Sequence, residues 1–232
     1  MNFNHRSYTL ELLDNDDIPT KDLYQNLREL DFINSTLGGH KVVLDGIKYL
    51  IKNKQIQQPI NICEIGSGGG DNLREIGVFL NNKQIPYHLE GIDLKEDCVS
   101  FAEQQNTIPI KYQISDYQLA KFSKHKPDYI FNSLFCHHFK DEDLIQMLQW
   151  MNTHAEKGFF MADLHRHPLA YYSIQWLTRL FSKSYLVKND APLSVLRGFT
   201  RTEWQMLLEK AGIKSYKIQW KWAFRWLIII EK

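Results

Sequence analysis

Apolar residues recur at helical spacing early in the chain and in short buried runs after it. Leu23, Leu27, Leu30 and Ile33 repeat at i, i+4, i+7 and beyond, so residues 8–55 read as helical, with Thr20 as a cap. Gly38-Gly39 interrupt this stretch, and a second helix carries Val42, Val43, Ile47, Leu50 and Ile51. After Pro59 the rhythm changes. The pattern predicts strands over 60–65, 87–93, 110–114, 128–131 and 158–163. Helices are predicted over about 70–82, near Glu96–Gln104 and from Asp141, the last carrying Leu144, Met147, Leu148 and Met151. Strands alternating with helices in this way predict a parallel sheet covered on both faces.

Residues 168–199 break the alternation. Tyr171, Tyr172, Trp176 and Phe181 precede a polar stretch, Asn189-Asp190-Ala191-Pro192, which reads as a turn. The segment is expected to be an insertion over the carboxyl ends of the strands. Thr200 and Glu203 have capping-box spacing and start a further helix, which Gly212 stops. From Tyr216 to Ile230 apolar residues fall at every second position, with Lys217, Lys221 and Arg225 on the other face. Trp222 sits where a hairpin turn would fall.

Composition narrows the classes. A chain of 232 residues can bury one sizeable core. With Lys+Arg 28 and Asp+Glu 27, no net charge drives nucleic-acid or membrane binding. No apolar run approaches the roughly 18 residues of a membrane span. The first residues lead into Glu11, Asp14, Asp16 and Asp17, which is unlike a signal peptide. Cys63, Cys98 and Cys136 are scattered and form no framework, so a cytoplasmic location is expected.

The chemistry concentrates at Glu64-Ile65-Gly66-Ser67-Gly68-Gly69-Gly70. Glycines directly after a buried strand make a tight turn on which a ligand can lie against backbone. A dinucleotide fingerprint would need glycine at position 71, where this chain has Asp71. No Gly-Lys-Ser/Thr follows, so a P-loop fails too. Ligands of open α/β sheets bind at the carboxyl ends of strands. Those ends carry Asp93, able to accept from two vicinal hydroxyls, then Ser115-Asp116-Tyr117, Asn132 with His137-His138-Phe139, and Asp163-Leu164-His165-Arg166-His167.

The E-x-G-x-G-x-G turn, Asp93, Asp116 and the His pair together resemble class I S-adenosylmethionine (SAM)-dependent methyltransferases over about residues 60–165. The likeness is greatest to the small-molecule branch of ubiquinone/menaquinone type. That resemblance implies a Rossmann-like, seven-stranded, mostly parallel sheet with an antiparallel last strand. It implies a helical N-terminal cap over 1–58, a SAM-binding domain over 59–232 and a cap insertion at 168–199. It implies cofactor contacts at Glu64, Gly66, Ser67, Gly68, Gly70, Asp93, Leu94, Asp116, Tyr117 and Asn132. Segments 164–168 and 189–199 look like a subgroup associated with phenolic or polyketide-type pathways.

Methylation of a phenol or enol requires loss of a proton, and imidazole is a suitable base near neutrality. His137 is the expected base, with Asp163 or His165 orienting it. Because adjacent residues of an extended chain face opposite ways, His138 is expected to point elsewhere. His137, His138, Asp163, His165 and His167 also offer metal-ligand chemistry, but no metal is expected. His40 could reach the pocket from the N-terminal side. The acceptor is expected to be small and organic, the protein a monomer or homodimer, and nucleic acid no partner. An NAD(P)-dependent oxidoreductase and a non-catalytic SAM-fold partner protein are the rival functions. Asp71, and the absence of a Tyr-x-x-x-Lys pair, argue against the first. The intact turn, Asp93 and the candidate base argue against the second.

Overall fold

The computed structural model describes residues 1–15, 17–52, 54, 56–122 and 126–232. Asp16 and the parts of the expected 8–55 helical stretch at Asn53 and Gln55 lie outside the described residues. The elements run α1 (Thr20–Thr36), α2 (Gly39–Ile51), β1 (Ile60–Ile65), α3 (Asp71–Asn82), β2 (Tyr87–Asp93), α4 (Glu96–Gln105) and β3 (Lys111–Ile114). There follow β4 (Tyr129–Ser133), α5 (Asp141–His154), β5 (Gly158–Leu164), α6 (Pro168–Phe181), α7 (Tyr185–Arg197), α8 (Arg201–Lys210), β6 (Lys217–Lys221) and β7 (Arg225–Glu231).

The seven strands form one sheet in the order β3-β2-β1-β4-β5-β7-β6. β1 to β5 pair in parallel, and β7 is antiparallel to both β5 and β6. The sheet is the expected Rossmann-like one. Its order reverses beside β1, so the chain leaves β1 and β4 toward opposite faces, to α3 and to α5, and a crevice opens outside their carboxyl ends.

Strand alternation sorts the core. Ile60 and Ile62 of β1, Tyr129 and Phe131 of β4, and Phe160 of β5 pack with Val43, Ile47 and Leu50 of α2. The other parity, including Cys63, Ile65, Ile130, Phe159 and Met161, packs with Leu144, Met147, Leu148 and Met151 of α5 and Trp204 of α8. α2 is therefore a sheet-covering helix, whereas residues 1–58 as a whole were expected to cap the site.

Several local expectations change. Among the described residues before Pro19 only Leu12–Asp14 is helical, as a single 3-10 turn, and Thr20 bonds Asp97 rather than capping α1. Asn189-Asp190-Ala191-Pro192 is not a turn but the middle of α7. Its polarity has a tertiary cause: the Asp190 carboxylate accepts from Leu12 N at 2.8 Å and Leu13 N at 2.9 Å, holding the N-terminal segment across the insertion. Arg225 was placed on a polar face. It is buried and donates to the carbonyl of Leu37 and to Asn34 Oδ1, and burial lowers its pKa to about 10. The tail folds back at Trp222 as a hairpin, and the Thr200–Glu203 capping box forms.

The strap formed by residues 1–15 is fixed by buried guanidinium groups. Arg197 donates to the carbonyls of His137, His138 and Thr9 and to Asp14 Oδ2. Arg6 donates to Arg197 O, Phe139 O and Asp141 Oδ1. Asp190→Ala removes the acceptor of two backbone donors, so it should cost about 1–3 kcal/mol. Limited proteolysis should then cut within residues 1–15 faster than in the wild type. Equal cleavage rates would show that Asp190 does not anchor the strap.

Candidate active site

β1 ends in a turn that sets the first half of the site. Gly66 N and Ser67 N both donate to Ile92 O, at 2.8 and 3.1 Å, and Gly70 N donates to Ser67 O at 2.9 Å. The φ of Gly66 is +67° and that of Gly68 +50°, values that favour glycine. Their reasons differ. A side chain on Gly66 would collide with the Phe135 ring, whereas one on Gly68 would meet nothing within 4 Å. Gly68 thus faces the void directly, while Gly66 is glycine for packing.

Asp93 closes this half. Its Oδ2 accepts from Gly68 N at 2.7 Å and its Oδ1 from Lys95 N at 3.0 Å. Each oxygen keeps a free lone-pair direction for a ligand hydroxyl. Burial raises the Asp93 pKa, against the pull of these backbone donors. Gly66, Ser67, Gly68, Asp93, Leu94, Asp116 and Tyr117 line one cavity of about 590 Å³. Asp116 is held by Gln118 N, and the Tyr117 ring stands edge-on to Trp150 at 5.2 Å. The Ser67 hydroxyl is buried with no partner among the described residues.

Three expected cofactor contacts lie elsewhere. Gly70 caps α3 with a φ of +71° and packs against Tyr112 and Ala102, off the cavity wall. Glu64 is not on the cavity wall; its Oε1 accepts from Asn72, which is, and its Oε2 is buried without a partner among the described residues. Burial, then the charges of Asp71 and Asp93, push the Glu64 carboxyl well above the usual carboxylate range. Asn132, expected at the cofactor, is off the cavity wall. It shares the parity of Ile130, so its amide packs against Met147 and Met151 and accepts from Cys136, on the α5 side of the sheet. His40 approaches from α2 and bonds Asp71 at 2.8 Å, with Asp31 at 3.6 Å. Burial alone would raise the Asp71 carboxyl; His40 and Asn34 hold it below its ordinary value.

A second cavity of about 380 Å³ lies under the insertion. Residues such as Ile174 and Leu177 of α6 and Val187 and Val195 of α7 make its walls apolar, while Glu11, His137 and His138 form a polar patch. Leu13, Leu30, Asn34, Leu134 and His138 line both cavities, so the two adjoin there.

The patch is tightly wired. His137 Nδ1 is 2.8 Å from Asp163 Oδ1, and its backbone N–H donates to Asp163 Oδ2. His138 Nδ1 is 2.8 Å from Asp14 Oδ1. The expectation that the two histidines face apart fails. They sit in a 3-10 turn, Cys136–His138, where strand alternation does not apply, and their rings stand 4.4 Å apart. Both Nε2 atoms approach Glu11, at 3.6 and 4.0 Å. Burial opposes ionisation of Asp163, but the charge and hydrogen bond of His137 keep its pKa below the ordinary value. Burial lifts Glu11 to about 7, outweighing His138, Ser194 and Arg197.

Glu11 and Asp14 were not expected at the site, because nothing local ties the strap to the strand ends. His165 was expected beside His137 and lines neither cavity. Its Nδ1 accepts from Trp220, and it packs against His167 and Trp226. Among the described residues, two clusters have ligand atoms within 4.8 Å of one another and could hold a metal: Glu11, His137 and His138, and Asp31, His40 and Asp71.

A family model described as a methyltransferase domain matches residues 39–217. No curated protein matches the chain. Among solved structures, the plantazolicin methyltransferase BpumL in complex with SAH is 21% identical. The match covers 90% of this chain and 76% of that one, with a TM-score of 0.65. Human N-acetylserotonin methyltransferase in complex with SAM is 18% identical, over 92% of this chain and 56% of that one, at 0.65. Magnesium protoporphyrin IX methyltransferase from Synechocystis PCC 6803 with bound SAH is 13% identical, over 83% and 82%, at 0.55. At these identities the likeness establishes the fold.

Glu11 makes stability depend on pH. Its folded pKa is raised, so its stabilising contribution is complete below about 4.5 and is lost as pH rises through about 7. The loss amounts to roughly 3 kcal/mol above that point. Glu11→Gln, which stays neutral, should therefore gain in melting temperature relative to the wild type between pH 5 and pH 8. A constant difference across that range would show that Glu11 ionises normally.

Proposed function

The chain belongs to the methyltransferase-domain family and is a SAM-dependent methyltransferase; we propose that it acts on a phenolic or enolic oxygen, or an electron-rich ring carbon, of a small organic acceptor. The observation that carries this reading is the pair of adjoining cavities. One holds the glycine turn and Asp93, and the other holds a buried His–carboxylate patch under apolar walls.

The first cavity fits the cofactor. Gly68 leaves open space, and Asp93 has lone pairs for two ribose hydroxyls. Asp116 and Tyr117 suit the adenine, as acceptor and as flat surface. Asp71 suits the ammonium end of the methionine moiety. SAM, when bound, supplies a methyl on a sulfonium, open to in-line displacement.

The chain's own residues then do three things. The insertion, with α1, excludes water and holds the acceptor beside the shared wall. His137 takes the acceptor's proton at Nε2. Asp163 accepts the Nδ1–H, which selects that tautomer and stabilises the imidazolium. Glu11, 3.6 Å from Nε2, adds a carboxylate beside the developing charge once it ionises, near pH 7. His138 shares the wall between the cavities and positions the acceptor. In this reading the acceptor cap comprises residues 1–37 and 168–199. The acceptor is of phenolic or polyketide type, from secondary metabolism, and the reaction proceeds in a reducing cytoplasm where Cys63, Cys98 and Cys136 stay as thiols.

Transfer of labelled methyl from SAM to a panel of small phenols tests this. His137→Ala should cut turnover by about 100- to 10,000-fold. SAM affinity should stay nearly unchanged, because His137 lines only the second cavity. A variant as fast as the wild type across the pH range would remove His137 from the role of base.

A further inference from the structure

Helix α6 has two apolar faces, and only one is used inside the molecule. Ala170, Ile174 and Leu177 face the second cavity. On the outer side Leu169, Tyr172, Trp176 and Leu180 are 62%, 51%, 67% and 65% exposed, and Phe181, the last residue of the helix, is 76% exposed. The spacing of three, four and four puts the first four along one side of the helix, and Phe181 stands exposed at its C-terminal end. Trp222, 68% exposed, joins the cavity wall from the β6–β7 turn. Contiguous exposed aromatic and leucine side chains mark an interaction surface rather than ordinary scatter.

Charge selects the partner. Residues 168–188 contain Arg179, Lys183 and Lys188 and no acidic residue, although the whole chain carries only +1. All three cations are exposed. Glu29 of α1 packs nearby, but its carboxylate accepts from the Ser182 hydroxyl and from Lys183 N and Ser184 N. The near-neutral total therefore hides a local basic strip beside the apolar face. A helix of 14 residues is about 21 Å long, too short to cross a hydrocarbon core of about 30 Å. No helix among the described residues is long and apolar enough to cross. An apolar face with interfacial aromatics and flanking cations fits a position in the plane of a bilayer surface.

We propose that α6 docks the protein on an anionic membrane surface, with Trp176, Leu180 and Phe181 among the upper acyl chains and Arg179, Lys183 and Lys188 at the headgroups. Long cationic side chains can reach headgroups from such a helix. Because the inner face of α6 lines the acceptor cavity, docking places that cavity over the bilayer. A lipophilic acceptor can then enter without crossing water. This last step rests on the methyl-transfer reading; docking itself does not.

Flotation with vesicles tests it on the whole protein. The wild type should float with phosphatidylcholine vesicles containing phosphatidylglycerol, and less with phosphatidylcholine alone. Trp176→Ser combined with Phe181→Ser should lower the bound fraction by about tenfold or more. Its melting temperature and its methylation of a water-soluble acceptor should not change. Replacing Arg179, Lys183 and Lys188 by Gln should remove the preference for anionic vesicles. Docking is overturned if the wild type stays soluble with both vesicle types, or if the double variant floats equally well. It is also overturned if light scattering shows a dimer that the double variant converts to monomer, since a second copy would then cover the face. Absence of methyl transfer with normal flotation would count against the catalytic reading and leave docking standing.

Discussion

The hydrogen bond from Gly68 N to Asp93 Oδ2 joins the ends of β1 and β2, and the site is built outward from it. Gly68 adopts a positive φ, which favours glycine, so the chain turns at the point where its N–H meets the carboxylate. The same geometry leaves the other side of Gly68 open. A carboxylate so placed is desolvated but not satisfied: two backbone donors hold it, and its remaining lone pairs face the cavity. A ligand that brings a pair of hydroxyls completes what folding leaves incomplete.

The second cavity is organised by a second constraint, the burial of Arg197. Its guanidinium reaches the carbonyls of both histidines, the carbonyl of Thr9 and the Asp14 carboxylate. A buried cation of this kind is tolerable only with nearly all of its donors paired. That demand pulls the N-terminal strap, the His turn and α7 together. Glu11 enters the cavity as a consequence, carried by a strap that other groups anchor. The polar patch is thus assembled from three segments distant in sequence.

This explains what the sequence could and could not reveal. The strands, the glycine turn and Asp93 depend on local runs and spacings, and they were legible. So was the hairpin near Trp222, because two-residue alternation is a local signal. Asn132 was misplaced because a shift of one residue in a strand end reverses which face a side chain takes. The His pair was misjudged because a 3-10 turn replaced an extended backbone. Nothing local tied Glu11, Asp14 or Arg197 to the strand ends. Asp190 looked like part of a turn, yet it is polar to satisfy backbone donors some 178 positions away. A faint clue existed in the cluster of acids before Pro19, which was read only as unlike a signal peptide.

Titration calorimetry with SAM, on the wild type and on Asp93→Ala, tests the central claim most directly. The account predicts saturable heat for the wild type and an affinity at least about tenfold weaker in the variant, since charge-assisted hydrogen bonds to the sugar are lost. No heat from the wild type at millimolar SAM, or equal affinity in the two proteins, would contradict it.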